Sequence, residues 1–243
     1  MDDADYEGFI GIQLDDFAFS NDTMLVIVLM LLSAFAWIFR LNKPLFGKMI
    51  SNINAREQRQ SIFETTEKDS FLFNTFMIFQ TLLLISIFVY TAAVKYKLFI
   101  LPDIVPALLS LLFLFVLFFF FHLFKRVLYA LFGIIFIGKS ANKMMLTNYQ
   151  ALFCTWGVAL YLPVMWILLF DTYLFLSIIF LIISFLAFKI ILSIRFFNIF
   201  VNKNTGFLFF SLYLCAQEIV PIVFLYEGMV YTYNIVETNN LWQ

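Results

Sequence analysis

Charged residues are scarce in this sequence, and their scarcity excludes an ordinary soluble domain. Only 13% of the 243 residues are Asp, Glu, Lys or Arg, and 63% are hydrophobic. A soluble domain averages roughly 25% charged and 45–50% apolar residues. The apolar residues form long stretches, which favours a protein embedded in a lipid bilayer. We therefore expect the bilayer to be a main partner and nucleic acid to be no partner.

Histidine and cysteine are also rare, which narrows the possible chemistry. A single histidine cannot build a multi-histidine metal site. The two cysteines, Cys154 and Cys215, lie in apolar runs without paired or metal-ligand spacing. The motifs H-E-x-x-H, G-x-S-x-G and C-x-x-C are all missing. We therefore expect neither an enzyme nor a bound metal or cofactor.

Positive charge is missing from the N-terminal tail. The first 23 residues contain seven acidic residues and no Lys or Arg. A secretory signal peptide begins with a positively charged region, so none is predicted here.

Six stretches are long and apolar enough to be predicted as transmembrane helices. A spanning helix needs about 20 mostly apolar residues, because every backbone amide in hydrocarbon must be paired internally. The predicted fold is an all-α, polytopic bundle of six helices. The spans cover residues 24–39, 71–94, 104–124, 151–170, 174–192 and 207–226 of a transmembrane domain at 24–235, with an acidic tail at 1–23 and a C-terminal tail at 236–243.

The basic residues are concentrated on one side of this six-span arrangement. Of the fifteen Lys and Arg residues, thirteen fall at the ends of spans 1, 3 and 5 or in the loops that follow them. Positive charge stays on the cytoplasmic side of a membrane, so both termini are predicted to lie outside. Among the cytoplasmic residues, Arg56, Arg59, Lys125 and Arg126 are predicted to form a surface for a partner protein or anionic lipid.

One apolar segment is too short to cross the membrane. Val127–Gly138 has twelve residues between Lys125-Arg126 and Lys139, and a crossing would place basic residues on both sides. We interpret it as a short interfacial or re-entrant helix after span 3. The alternative is a longer span 3 that continues into the cytosol.

Residues near the span ends are expected at the membrane surface. The four tryptophans, Trp37, Trp156, Trp166 and Trp242, lie near predicted ends, as interfacial aromatic residues typically do. His122 precedes a basic pair at the end of span 3 and is expected at the interface as well.

A glutamate in the last span is the most unusual residue. Glu218 lies eleven residues past Phe207 and therefore about 16 Å deep. An ionisable group at that depth should face the bundle interior, where it either joins helices or binds a proton or cation. Lys189 and Gln80 have similar predicted depths, so we hypothesise an intramembrane polar network of Glu218, Gln217, Lys189 and Gln80. Lys189 is also close enough to the cytoplasmic end for its ammonium group to reach the membrane surface.

Two prolines are predicted to bend their helices. Pro221 lacks an N–H group and should free the carbonyl of Gln217 beside Glu218. Pro163 in span 4 should free the carbonyl of Ala159 in the same way. A simple packing bend is the alternative interpretation of both.

Two stretches resemble a known family. They are REQRQSIFETT at Arg56–Thr66 and LYLCAQEIVPIVFLYEGMVY at Leu212–Tyr231. Together they resemble a family of bacterial inner-membrane proteins described as domain of unknown function 4271, over roughly Leu45 to Glu237. The resemblance implies a multi-pass fold and a location in the bacterial inner membrane. It implies no catalytic or ligand residues.

These observations favour a non-catalytic scaffold or accessory subunit of a membrane complex. The alternative is a proton- or cation-coupled small-molecule transporter that uses Glu218. The small number of glycines, 8 in all, and the absence of a G-x-x-x-G motif disfavour sliding helices. An acid–base enzyme built on Glu218 is a third interpretation.

Overall fold

The protein is described by a computed structural model over residues 16–43, 67–96, 104–136, 139–170 and 174–202, with residues 47, 223, 226–228 and 230. The helices are α1 (Asp16–Leu41), α2 (Glu67–Lys95), α3 (Ile104–Phe136), α4 (Lys139–Ala159), α5 (Tyr161–Leu169) and α6 (Leu174–Asn202). No strand occurs in these ranges. The predicted all-α class is therefore confirmed for the part of the chain that is described.

Five stretches of the described chain are long and apolar enough to cross a membrane. They are Asp22–Leu41, Leu72–Lys95, Ala107–Leu131, Met145–Leu169 and Leu174–Asn198, the fourth of which combines α4 and α5. Each overlaps one of the first five predicted spans. The sixth predicted span, 207–226, lies outside the described residues except at positions 223 and 226.

The prediction of a separate short helix after span 3 is wrong. α3 is one continuous helix of 33 residues that runs through Val127 to Phe136. No proline interrupts this segment, and α4 supports it: the side-chain amide of Asn142 donates to the carbonyl of Ala130 over 3.2 Å. Because those contacts extend the helix beyond Arg126, the alternative of a longer third helix describes the structure.

The bundle is centred on α2 and on α4 with α5. α2 packs against α1, α3, α4 and α5, while α4 also packs against α3 and α6. Of the residues in the two central candidate spans, 56% are buried, whereas only 11% are buried in the spans of α3 and α6. The outer helices therefore expose long apolar faces, as lipid-facing helices do.

The chain changes helix within the fourth candidate span. α4 ends at Ala159 and α5 begins at Tyr161, two residues before the proline at 163. Pro163 has no N–H group to donate to the Ala159 carbonyl. Two other helices hold the broken segment: the Ser177 hydroxyl donates to the Pro163 carbonyl over 2.8 Å, and the Lys95 ammonium group donates to the Ile167 carbonyl.

Candidate functional site

One face of α3 carries a row of buried polar side chains. His122, Lys125 and Tyr129 are spaced three and four residues apart, which places them on one side of a helix. Their exposed fractions are 5%, 4% and 0%. This face points into the bundle against α4 and α6, because Tyr129 belongs to a cluster with Tyr149 of α4 and Phe196 of α6.

Tyr149 of α4 is the hydrogen-bonding partner of the histidine. Its hydroxyl lies 3.3 Å from Nδ1 of His122, and the two rings are stacked with centroids 5.7 Å apart. Phe153 covers the imidazole with a ring centroid at 4.4 Å, and Tyr129 approaches Tyr149 at 4.7 Å. The sequence predicts His122 at the membrane surface, but within the molecule its side chain is enclosed by aromatic rings.

Lys125 lies inside the helix bundle. Its ammonium nitrogen is 5.9 Å from the ring centroid of Phe121 and 6.0 Å from that of Tyr129, distances at which aromatic rings attract a cation. Arg126 is exposed. The surface that we predict for partner proteins or anionic lipids therefore retains Arg126 but not Lys125. Arg56 and Arg59 lie outside the described residues.

The chemistry of this cluster is that of a histidine–tyrosine pair beside a buried cation. The imidazole can accept a hydrogen bond from the phenol or donate one to it, depending on its tautomer. Such a pair can join two helices or hold a proton. Among the described residues, no three His, Cys, Asp or Glu side chains come together to hold a metal ion.

The predicted polar network is only partly within the described chain. Gln80 is fully buried on α2, and no hydrogen bond joins its amide to another described residue. Lys189 is on α6, with its ammonium nitrogen 5.4 Å from the ring centroid of Phe185. α2 and α6 both pack on α4. Glu218 and Gln217 lie outside the described residues, as does Pro221, so the network stays a prediction.

The sequence does not identify two residues that join helices in the structure. Tyr149 gives no signal beyond its position in a polar stretch, and Trp156 is expected at the membrane surface. In the structure the Trp156 indole donates to the Ser184 hydroxyl over 2.8 Å and stacks on Phe188 at 5.2 Å. Pairing of α4 with α6 creates both interactions, and helix pairing is not readable from the spacing of residues in one helix.

The described helices are long and apolar enough to cross a membrane, and they pack around buried ionisable side chains. These are the features of a helical membrane protein. The family described as domain of unknown function (DUF4271) matches residues 24–229. This range covers most of the chain, and the protein belongs to that family, as the two sequence stretches predict. No curated protein and no solved structure matches the chain.

Proposed function

We propose that this chain is a non-catalytic scaffold or accessory subunit of a complex in the bacterial inner membrane, with both termini outside the cytoplasm. The observation that supports this proposal is an apolar stripe on the outer face of α3 that continues past Arg126. We call this feature the outer stripe. It consists of Phe113, Leu117, Phe120, Phe124, Val127, Leu131 and Ile134, all of which are exposed.

The outer stripe has the spacing of a helix-packing surface. Its members alternate at four and three residues, the heptad pattern that keeps one seam of a helix facing a partner helix. Val127, Leu131 and Ile134 are 55%, 52% and 51% exposed. They follow Arg126, which the charge distribution predicts at the cytoplasmic end of the span.

The outer face of α3 is also longer than lipid can readily cover. From Leu108 to Ile134 the exposed apolar residues rise about 39 Å along the helix, against a hydrocarbon core of about 30 Å. Apolar surface beyond the hydrocarbon is stabilised when another protein covers it. A partner helix on the cytoplasmic end of α3 would provide that cover.

Native purification tests this proposal. The tagged chain is extracted in mild detergent, and we expect a stoichiometric partner protein to co-purify. The double variant Leu131→Ala with Ile134→Ala should lose that partner. The matched control, Leu109→Ala with Leu112→Ala, changes two exposed leucines near the opposite end of the same candidate span and should retain it.

The opposite results would contradict a subunit role. A wild-type protein that purifies only as a monomer or homodimer has no partner for α3 to bind. A partner that the control variant loses to the same extent does not bind at the cytoplasmic end of the outer stripe.

Proton- or cation-coupled transport of a small molecule is the second candidate. It is favoured by the burial of His122 and Lys125 within a candidate span, because buried ionisable residues at membrane depth are often functional. The substitution Glu218→Gln keeps the size and hydrogen bonding of the side chain but removes its charge. Proton uptake by reconstituted vesicles should then be abolished if the chain is a transporter, whereas a subunit should still bind its partner.

A further inference from the structure

Gln80 is a buried amide whose hydrogen-bonding atoms have no partner among the described residues. Its side chain is fully buried on α2, and neither Oε1 nor Nε2 has a hydrogen-bond partner in the part of the chain described. Glutamine has two donors and one acceptor oxygen, and a bilayer offers nothing to replace lost hydrogen bonds. The amide therefore needs a polar partner other than the described side chains.

Tyr161 presents a second unsatisfied group of the same kind. It is the first residue of α5, just after the helix break at Leu160. Its side chain is 8% exposed, and its buried hydroxyl has no hydrogen-bond partner among the described residues. A tyrosine in an entirely dry interior normally finds a partner for its O–H group.

Two packed clusters connect the surroundings of these two residues. Gln80 lies one helical turn from Met77 and one turn from Leu84. Leu84 is in the same packed cluster as Tyr161, while Met77 is in a cluster with Phe35 of α1. The rings of Phe35 and Tyr161 are themselves in contact, with centroids 6.1 Å apart. Gln80 is thus flanked on α2 by members of two clusters that meet where Phe35 contacts Tyr161.

A close helix approach supports the same placement. Gly157 is one turn before Tyr161, and a Cβ atom added there would lie 2.9 Å from Cβ of Thr81, the neighbour of Gln80. In helices, side chains lean toward the N-terminus, so the Tyr161 ring extends back toward the level of Gly157.

We infer that Gln80 and Tyr161 hold bound water in the interior of the bundle, at the junction of α1, α2 and α5. The chemistry of the ligand follows from the groups present. The two side chains combine amide donors, an amide acceptor and a hydroxyl, and neither carries a charge that would select an ion. A buried water satisfies two to four such groups. This inference does not depend on the proposed subunit role.

Radiolytic hydroxyl-radical labelling tests the inference, because radicals formed from bound water modify the side chains that contact it. The purified full-length protein in detergent is irradiated, and modification of Tyr161 is measured by mass spectrometry. We expect Tyr161 to be modified despite its burial. In Gln80→Leu, modification of Tyr161 should fall several-fold, because the amide that holds the water is gone.

Two further variants complete the design. Met77→Leu is the matched control, since Met77 is fully buried one turn from Gln80 and carries no hydrogen-bonding group of comparable strength; Tyr161 modification should stay at the wild-type rate. Gln80→Met, an unbranched apolar replacement, serves if the leucine variant does not fold. An unmodified Tyr161 in the wild-type protein would overturn the inference, as would equal modification of Tyr161 with and without the Gln80 amide.

Discussion

Lys125 and Arg126 show how strongly a single residue's environment depends on its position around a helix. The two are adjacent basic residues, but consecutive positions differ by about 100° around the axis. Lys125 therefore lies against aromatic rings inside the bundle, while Arg126 is exposed. The same rotation places His122 and Tyr129 on the inner face with Lys125.

The first residue-level prediction concerns the hydrogen bond between His122 and Tyr149. Tyr149→Phe removes the hydroxyl that lies 3.3 Å from Nδ1 of His122 and keeps the stacked ring. We expect the free energy of unfolding to fall by about 0.5–1.5 kcal/mol, the usual net contribution of one hydrogen bond. Unfolding in detergent, followed by tryptophan fluorescence, measures it. Tyr96→Phe, at an exposed tyrosine, is the control, and an equal loss in both variants would contradict a specific role for the pair.

A second residue-level prediction concerns the close approach of α2 and α4. Gly157→Ala would place its Cβ against the Thr81 hydroxyl and 2.9 Å from Cβ of Thr81. Thr81 is branched at Cβ and its hydroxyl already donates to the Met77 carbonyl, so it cannot easily move. We expect a loss of about 1–3 kcal/mol, typical of overpacking, measured by unfolding in detergent. Gly47→Ala should be much better tolerated, because a Cβ atom added there would meet no described atom within 4 Å apart from its chain neighbours.

At the scale of elements, α3 is continuous and the α4–α5 segment is interrupted for different physical reasons. α3 continues past the basic pair because contacts with α4 support its last turns. α4 ends early because Pro163 cannot donate a backbone hydrogen bond to the Ala159 carbonyl. The first cause is tertiary, and the second lies in the sequence itself.

The short helix α5 provides a prediction at this scale. The Lys95 ammonium group donates to the Ile167 carbonyl in the last turn of α5, where a cation also interacts favourably with the helix dipole. Lys95→Met keeps the length of the side chain and removes its charge. We expect a loss of about 0.3–2 kcal/mol in unfolding experiments, together with faster hydrogen exchange of α5 amides. Lys43→Met, at an exposed position of the chain, is the control; identical effects of both changes would show that the Ile167 contact contributes nothing.

At the scale of the whole molecule, the prediction is the topology. The proposed six spans, with positive charge on the cytoplasmic side, predict that both termini lie outside. In a variant without native cysteines, an impermeant maleimide should label Asp5→Cys and Thr238→Cys in intact spheroplasts. Lys43→Cys should react only after lysis. Labelling of positions 5 and 238 from opposite sides would rule out an even number of spans.

The sequence by itself determined the helical membrane class, the positions of five candidate spans and the family. Those properties depend on local quantities: the length of apolar runs, the placement of prolines and two linear motifs. The tertiary structure decided that α3 is a single long helix, that Lys125 is interior, and that His122 pairs with Tyr149. Each of these depends on which helix faces meet, because an apolar run can bury a residue against lipid or against another helix with the same hydropathy.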